Sequence, residues 1–427
     1  MRVLVIGAGI VGVTTAYEFA ERGHEVTLLE RREGAGLETS YANGAQLGAG
    51  EVTPWPGPEV PLLALRWMGR PDGPFRLRLK PDPEQWIWLW RFLLRCRNSA
   101  REERVLPNLQ LALYTRARMD AVAEKFEAQG TPILFDEERA GILQIFHYDR
   151  SFKEAIEGAD VMRRAGLDQR VLSARECVDV EPALGPAYQR GGIKGALYCE
   201  TDRTGDAYLY TKALAEGVTR MGVRFVTGVE VERFEVRGDK VAGVRTKDTL
   251  YEGDIVVLAA GVGSAALARQ TGVRIPVYPL KGYSVTLPVG SGVAPHASVT
   301  DEARKIVVSR LGNRVRIAGT AEVCGYDTKI EMARARSVLD GALDFMPQLS
   351  DVADKAEYWT GLRPMSPDGS PIIGQAGRYS NVYLNTGHGS LGWTLASGSA
   401  AALADTICGS TPQIDLTPFS IKRFAFV

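Results

Sequence analysis

The feature that most limits what this chain can fold into lies at its very start. A β-branched run, Arg2–Ile6 (RVLVI), leads straight into Gly7-Ala8-Gly9-Ile10-Val11-Gly12. Residues 11 to 22 then carry a helical periodicity, Gly23 ends it, and Glu25–Leu29 reads as a second buried strand closing on Glu30. Strand, glycine turn, helix and strand in that order predict a parallel βαβ unit. Each glycine serves a different need. Gly7 permits the tight turn, Gly9 a close approach of backbone amides to a ligand, and Gly12 close helix–strand packing. The helix start offers unpaired N–H groups and partial positive charge, which suit a pyrophosphate. Glu30, 18 residues beyond Gly12, is spaced to accept ribose hydroxyls. A bound dinucleotide is therefore expected, with Val3, Ala8, Ile10 and Val11 completing its turn. Arg31, beside Glu30 and Arg32, reads either as a cofactor contact or as a solvated loop charge.

Composition narrows the class. With 51 basic and 51 acidic side chains in 427 residues the formal charge is zero. That balance argues against a nucleic-acid partner, whose phosphates want a basic excess. Five scattered cysteines form no CxxC pair and no zinc-like spacing. No metal site is expected, and the thiols read as reduced, in a cytoplasmic protein. The apolar N-terminus fits a buried strand and helix better than a leader. No run reaches the ~18–20 apolar residues that span a bilayer. The length predicts two or three structural units, and 46 glycines imply many tight turns or close backbone approaches.

A nicotinamide cofactor predicts a compact cofactor half followed by a separate catalytic half. Here cofactor-like signals recur far along the chain. Residues 252–263 (EGDIVVLAAGVG) form a buried strand running into Ala260-Gly261, preceded by strand-like runs at 222–225 and 229–234. Residues 381–385 (NVYLN) make another strand. It enters Thr386-Gly387-His388-Gly389-Ser390-Leu391-Gly392-Trp393, and a helical stretch over 394–407 follows. A second glycine loop opening a helix suits flavin, because reduced flavin gathers negative charge that a helix N-terminus stabilises. Without a ligand, the same loop is simply a tight strand-to-helix connection.

These stretches carry a resemblance. With VIGAGIVGVTTAYEFAERGHEVTLLER, ETSYANGAQ, PVYPLKGYSVT, YWTGLRPMSPDGSPIIG and NTGHGSLGWTLASGSAAALAD, the chain resembles the glycine oxidase/D-amino acid oxidase flavoprotein superfamily. Within it, the bacterial D-amino acid dehydrogenases of the small-subunit type are the most similar, and the matching segments run from residue 5 to residue 405. The resemblance implies a discontinuous α/β protein. A Rossmann-like FAD-binding domain would take residues 1–50, 200–275 and 357–420. A substrate domain with a mixed, largely antiparallel sheet would take 51–199 and 276–356, with strands near 306–309 and 315–320. FAD is expected to be noncovalent, since residues 362–369, where some amine-oxidising relatives attach flavin, contain no cysteine.

The resemblance also implies site residues. The first turn and Glu30 would hold the adenosine diphosphate, and Val231 would meet adenine through its backbone. Thr39, Ser40, Asn43 and Gln46, with Ala260, Gly261 and Gly361, would surround the cofactor. So would Gly387, His388, Gly389, Leu391, Gly392, Trp393 and Thr394 of the second loop. Two departures stand out. The family's Asn-Ala-Gly-Gln is Asn43-Gly44-Ala45-Gln46 here, which alters the flavin face. Its Asp-Glu-Thr-Gly-Asp is Asp202-Arg203-Thr204-Gly205-Asp206, a base where an acid is usual.

Arg363, in Gly361-Leu362-Arg363-Pro364, is implied to bind the substrate carboxylate. A guanidinium offers two parallel N–H donors and keeps its charge when desolvated; a salt bridge in a domain seam is its alternative use. The implied reaction oxidises D-amino acids to 2-oxo acids and ammonia by hydride transfer to flavin N5, and asks the protein chiefly for orientation. His388 is a candidate acid or base, or acts through its backbone. Lys281 and Tyr283 either face flavin and substrate or mark a domain crossover.

Five of the seven tryptophans fall between Trp55 and Trp90. Residues 60–70 (VPLLALRWMGR) and 84–97 (EQWIWLWRFLLRCR) read as an amphipathic interfacial surface or as helical core. The resemblance implies a quinone or other respiratory electron acceptor, and with it a peripheral contact at the inner face of the cell membrane. Two other functions compete. One is an oxygen-using oxidase of glycine, sarcosine or proline derivatives; the other is a flavin-binding subunit without chemistry of its own.

Overall fold

The computed structural model describes residues 1–68, 73–290 and 294–424. The opening apolar run forms the strand Arg2–Ile6, paired in parallel with Glu25–Leu29 on one side and Ile255–Leu258 on the other. Parallel strands are covered on both faces, so they read as unbroken apolar runs. Arg224–Val226 extends this sheet at one edge; Val382–Thr386 and the antiparallel strand Ile372–Gln375 extend it at the other. The helices Ile10–Glu21 and Gly392–Cys408 pack together against it in one apolar core. The run expected as a strand over 229–234 becomes one only from Arg233. Gly228 and Val229 donate their amides to the Arg32 and Glu30 carbonyls instead, so the chain crosses the sheet's end here.

The second sheet is mixed and largely antiparallel. From one edge it runs Glu357–Met365, Tyr278–Pro288, Arg314–Val323, Ile306–Leu311, Ser298–Asp301, Ile142–Phe146, Gly195–Cys199 and Arg170–Ser173. Ser298–Asp301 is parallel to Ile142–Phe146, and Phe75–Leu77 is parallel to Arg314–Val323. One face of this sheet packs on the helix Met332–Phe345, with Tyr283, Val285, Leu287 and Ile317 meeting Val338, Leu339 and Phe345.

Two placements differ from expectation. Glu357–Met365, assigned by sequence to the cofactor domain, is hydrogen-bonded along Tyr278–Pro288 as the edge of the second sheet. The long helix Asn98–Ala128, assigned to the substrate domain, packs on Gly392–Cys408, and its Leu109, Leu111, Met119 and Phe126 join the first core. That contact is close because position 398 is glycine. A Cβ there would stand 2.6 Å from Thr115 Oγ1, which accepts the Gly398 amide at 3.0 Å.

The tryptophan-rich stretch divides between buried core and exposed surface. Helix Pro83–Arg95 starts at Asp82, whose carboxylate accepts the Glu84 amide at 3.0 Å. Trp88 is core, donating its indole N–H to the Met365 carbonyl at 2.8 Å. Trp86 and Trp90 are 50% and 62% exposed, and Leu62 and Leu65 of helix Val60–Met68 are exposed as well. Residues 69 and 70 lie outside the described residues. Among the described residues, no helix is long and apolar enough to cross a membrane.

Candidate active site

A cavity of about 2160 Å³ opens at the carboxyl ends of the parallel strands and beneath the second sheet. That is where open α/β sheets bind ligands, and it is larger than the ~300–1,000 Å³ of a pocket for one small molecule. At its first end lie Gly7, Gly9, Ile10, Val11, Glu30 and Arg31, with Val231, Ala260 and Gly261 beside them. Gly7 takes φ +100°, and a Cβ on it would press to 2.7 Å from the Ala259 carbonyl oxygen. Gly9 brings no side chain to cap the helix start, where the Ile10 amide donates to Ser40 Oγ at 3.1 Å. Glu30 accepts the Ala8 amide at 2.6 Å and the Arg32 amide at 2.9 Å, one on each oxygen. Each oxygen therefore keeps a lone pair for a further donor. Arg31 pairs with Glu38 at 2.8 Å.

Three residues expected at this end do not reach the cavity. Val3 and Ala8 are buried in the first core. Gly12 turns towards the strand, where a Cβ would overlap the Gly7 carbonyl oxygen. It serves packing, not ligand contact.

The middle of the cavity brings Thr39, Ser40, Asn43 and Gln46 together with Gly361 and the second glycine loop. From that loop come Gly387, His388, Gly389, Leu391, Gly392, Trp393 and Thr394. Gly387 and Gly389 have φ of +75° and +57°, and the helix beginning at Gly392 has no side-chain cap. The Trp393 indole N–H and Asn385 Oδ1 are buried without hydrogen-bond partners. His388 is turned to its own helix, with Nε2 3.1 Å from Ser399 Oγ. Burial drives its pKa down to about 3, so the imidazole is neutral and is no proton donor at physiological pH.

At the far end, Arg363 passes over Gly282, where any Cβ would collide with the guanidinium. Its Nη1 donates to the Thr320 carbonyl at 2.9 Å, and its Cζ lies 5.9 Å from the Trp55 ring centroid. Burial lowers its pKa to about 10, which leaves it charged at neutral pH. Among the described residues no carboxylate forms an ion pair with it. A desolvated cation facing a cavity without a counter-ion suits an anionic ligand.

The cavity distinguishes Lys281 from Tyr283, which borders it. Successive strand residues face opposite sides, and Gly282 holds the cavity side between them. The Lys281 ammonium donates to the Lys329 carbonyl and lies 5.2 Å from the Tyr283 ring centroid, clear of the cavity. Tyr283 borders the cavity, but its hydroxyl is directed to Glu322 at 3.5 Å, on the helix-packed side. Alternation along this strand was the signal that residue type obscured. Arg203, the unusual base, pairs with Asp120 at 2.6 Å and Glu137 at 2.8 Å and does not line the cavity.

A polar wall went unforeseen. Gln46 Nε2 donates to Ser298 Oγ at 2.9 Å and Thr300 Oγ1 at 3.0 Å. Beyond Thr300 lie Glu51, Gln144, Glu302 and Lys305. Burial and the neighbouring Glu302 push the Glu51 carboxyl up to about 7. Asp202 holds this corner in place, accepting the Ala49 amide at 2.9 Å and the Gly50 amide at 3.0 Å.

The FAD dependent oxidoreductase family model matches residues 2–406. The chain belongs to that family. This FAD-dependent oxidoreductase is 42% identical to a D-amino acid dehydrogenase of Paramagnetospirillum magneticum over 426 residues, 99% of each chain. It is 40% identical to one of Granulibacter bethesdensis over the full length of both. Among solved structures, glycine oxidase from Geobacillus kaustophilus matches with a TM-score of 0.77 at 22% identity, covering 99% of each chain. L-proline dehydrogenase from P. horikoshii matches with a TM-score of 0.76 at 19% identity, over 99% of this chain and 97% of that one. These likenesses show the fold, a Rossmann-like α/β architecture with a second, mixed sheet. The cavity fits the cofactor the family is named for. Two helix starts whose N-cap residues make no side-chain cap bond, acceptor capacity on Glu30 and the unpartnered Trp393 indole lie along one continuous channel.

Proposed function

We propose that this FAD-dependent oxidoreductase dehydrogenates D-amino acids to 2-oxo acids and ammonia and passes the electrons to a quinone or another respiratory acceptor. The observation that carries the substrate half is the Arg363 guanidinium, charged, desolvated and without a carboxylate partner among the described residues, in the same cavity as both glycine loops. The names of the full-length relatives supply the stereochemistry.

The chain divides its work between two units: residues 1–50, 98–128, 200–275 and 366–420 for FAD, and 51–97, 129–199 and 276–365 for substrate. The last boundary follows the strand Glu357–Met365 into its sheet. The turn of residues 7–12, Glu30 and Val231 hold the adenosine diphosphate; Thr39 to Gln46 and the loop of residues 387–394 hold the flavin, noncovalently. Bound FAD supplies the two-electron acceptor. Arg363 fixes the substrate by its carboxylate and so sets where the α-hydrogen points. His388 is held neutral and acts through position and backbone.

The acceptor half rests on Leu65, Trp86, Trp90 and Leu93, which are exposed and also line the cavity, so apolar surface continues from solvent inward. Such a face suits a peripheral contact with the inner membrane leaflet and a lipid-soluble acceptor.

One experiment tests both halves. The FAD-loaded protein is mixed anaerobically with D-alanine or L-alanine, then exposed to quinone-loaded vesicles or to air. Bleaching of the flavin by the D-form alone, and faster reoxidation by the vesicles, is expected. Bleaching by the L-form alone removes the substrate half. Fast reoxidation in air with peroxide release removes the acceptor half and favours an oxidase.

A further inference from the structure

Thr320 has the least relaxed backbone at the substrate end of the cavity. Its φ is +59°, in the left-handed region that β-branched residues rarely enter. The position is a slip in sheet register. Lys281 pairs with Glu322 and Tyr283 with Gly319, so Gly282 is opposed by both Thr320 and Ala321. That is a β-bulge, a device that re-aims groups beside functional sites.

Two independent observations say what it aims. The Thr320 carbonyl accepts Arg363 Nη1 at 2.9 Å. The Thr320 hydroxyl has no hydrogen-bond partner although the residue is only 7% exposed and lines the cavity. A buried hydroxyl left unpaired is costly, as is a left-handed threonine. Neither is relieved by a local contact of the side chain.

We propose that Thr320 is a second carboxylate-binding residue. Its bulged backbone fixes one edge of Arg363, and its hydroxyl turns to donate a hydrogen bond to the carboxylate that the other edge of Arg363 binds. The reach is short, because the carbonyl of the same residue already touches the guanidinium. This rests on the reading of Arg363 as the carboxylate anchor.

The test is equilibrium binding of propionate, a carboxylate without an amine, to the FAD-loaded protein, followed by perturbation of the flavin absorbance. Propylamine serves as the ligand lacking a carboxylate. Thr320→Val keeps the β-branched shape and removes the hydroxyl; roughly 10- to 100-fold weaker propionate binding is expected, the usual effect of a hydrogen bond to a charged group. Thr320→Ser restores binding, and propylamine affinity does not change. Thr320→Gly, at ease at this φ, folds even where the valine variant does not; it melts higher than the parent and binds propionate as weakly as Thr320→Val. If Arg363→Met loses propionate binding while both Thr320→Val and Thr320→Gly bind it normally, the anchor stands and the proposal falls. If Arg363→Met itself binds propionate normally, the anchor reading falls first and takes the proposal with it.

Discussion

The dinucleotide turn and the arginine corner line one cavity but meet steric crowding in opposite ways. At the turn, Gly7 takes φ +100° and Gly12 leaves out the Cβ that would overlap its neighbour's carbonyl. At the corner, threonine occupies φ +59°, and between the two ends Ala45 occupies +66°. Among the described residues, non-glycine residues with positive φ are Ala45, Asp136, Lys305 and Thr320, and all but Asp136 line the cavity. Glycine relaxes the turn, whereas strain of this kind costs of order 1–3 kcal/mol per residue and persists only where the surrounding structure holds it. The difference follows from what each end has to present. A pyrophosphate is met by main-chain amides, which any side chain obstructs. A carboxylate is met by side chains, which must be aimed, and here the backbone is bent to aim them.

The largest effect expected from this contrast is at Gly12, which does not line the cavity. Its Cβ would meet the Gly7 carbonyl, backbone against backbone, and neither can swing away. Gly12→Ala should therefore cost at or above the ~3 kcal/mol upper end of ordinary overpacking. The measurement is flavin content after purification, with the unfolding midpoint in denaturant. A variant that retained full FAD and parental stability would break the view that the turn tolerates no side chain.

The same contrast explains what was legible in the sequence. Backbone recognition leaves glycines at fixed spacing in one continuous stretch, so the turn of residues 7–12 and the loop of residues 387–394 could be read directly. The corner is assembled from Tyr278–Pro288, Arg314–Val323 and Glu357–Met365, and its bulge exists only in their pairing. No local pattern announces a register slip. Lys281 drew attention by residue type, while period-two alternation gives the cavity side to its neighbour Gly282. His388 misled for a related reason: imidazole chemistry is legible from sequence, but the burial that keeps it neutral is not. The Trp86–Trp90 stretch supported two readings because one helix face, with Trp88, is core while the other, with Trp86 and Trp90, is exposed.

Next in size is Arg363→Met. On the reading proposed here, the variant loses the charge that holds the substrate carboxylate, and the ligand's charge is left desolvated and unpaired. Truncating one partner of such a buried pair costs about 2–5 kcal/mol, which lowers kcat/KM for D-alanine on the order of 10²- to 10³-fold. Flavin content should be unchanged, because Arg363 sits at the opposite end from the phosphate turn. Loss of FAD together with activity would mean that the two ends are not separable.

The smallest effect sharpens the comparison most, because it moves the glycine solution into the strained middle of the cavity. Ala45 is fully buried, donates its amide to Asn43 Oδ1 at 3.0 Å and accepts the Gly205 amide at 2.9 Å. These bonds hold it at a φ that costs an L-residue roughly 1–2 kcal/mol. Ala45→Gly removes that strain but adds about 0.5–1 kcal/mol of chain entropy to the unfolded state. The net gain should be near 0.5–1 kcal/mol. Gly44 has no positive φ, and a Cβ on it would make ordinary contact with Ala318 Cβ at 3.6 Å. Gly44→Ala should therefore add a further ~0.4–1 kcal/mol through the unfolded chain alone. Together the two changes turn Asn-Gly-Ala-Gln into Asn-Ala-Gly-Gln, and the denaturation midpoint of the FAD-loaded protein should rise for each step. If the double variant is instead less stable, Ala45 is held by contacts worth more than its strain, and the middle of the cavity belongs with the turn rather than with the corner.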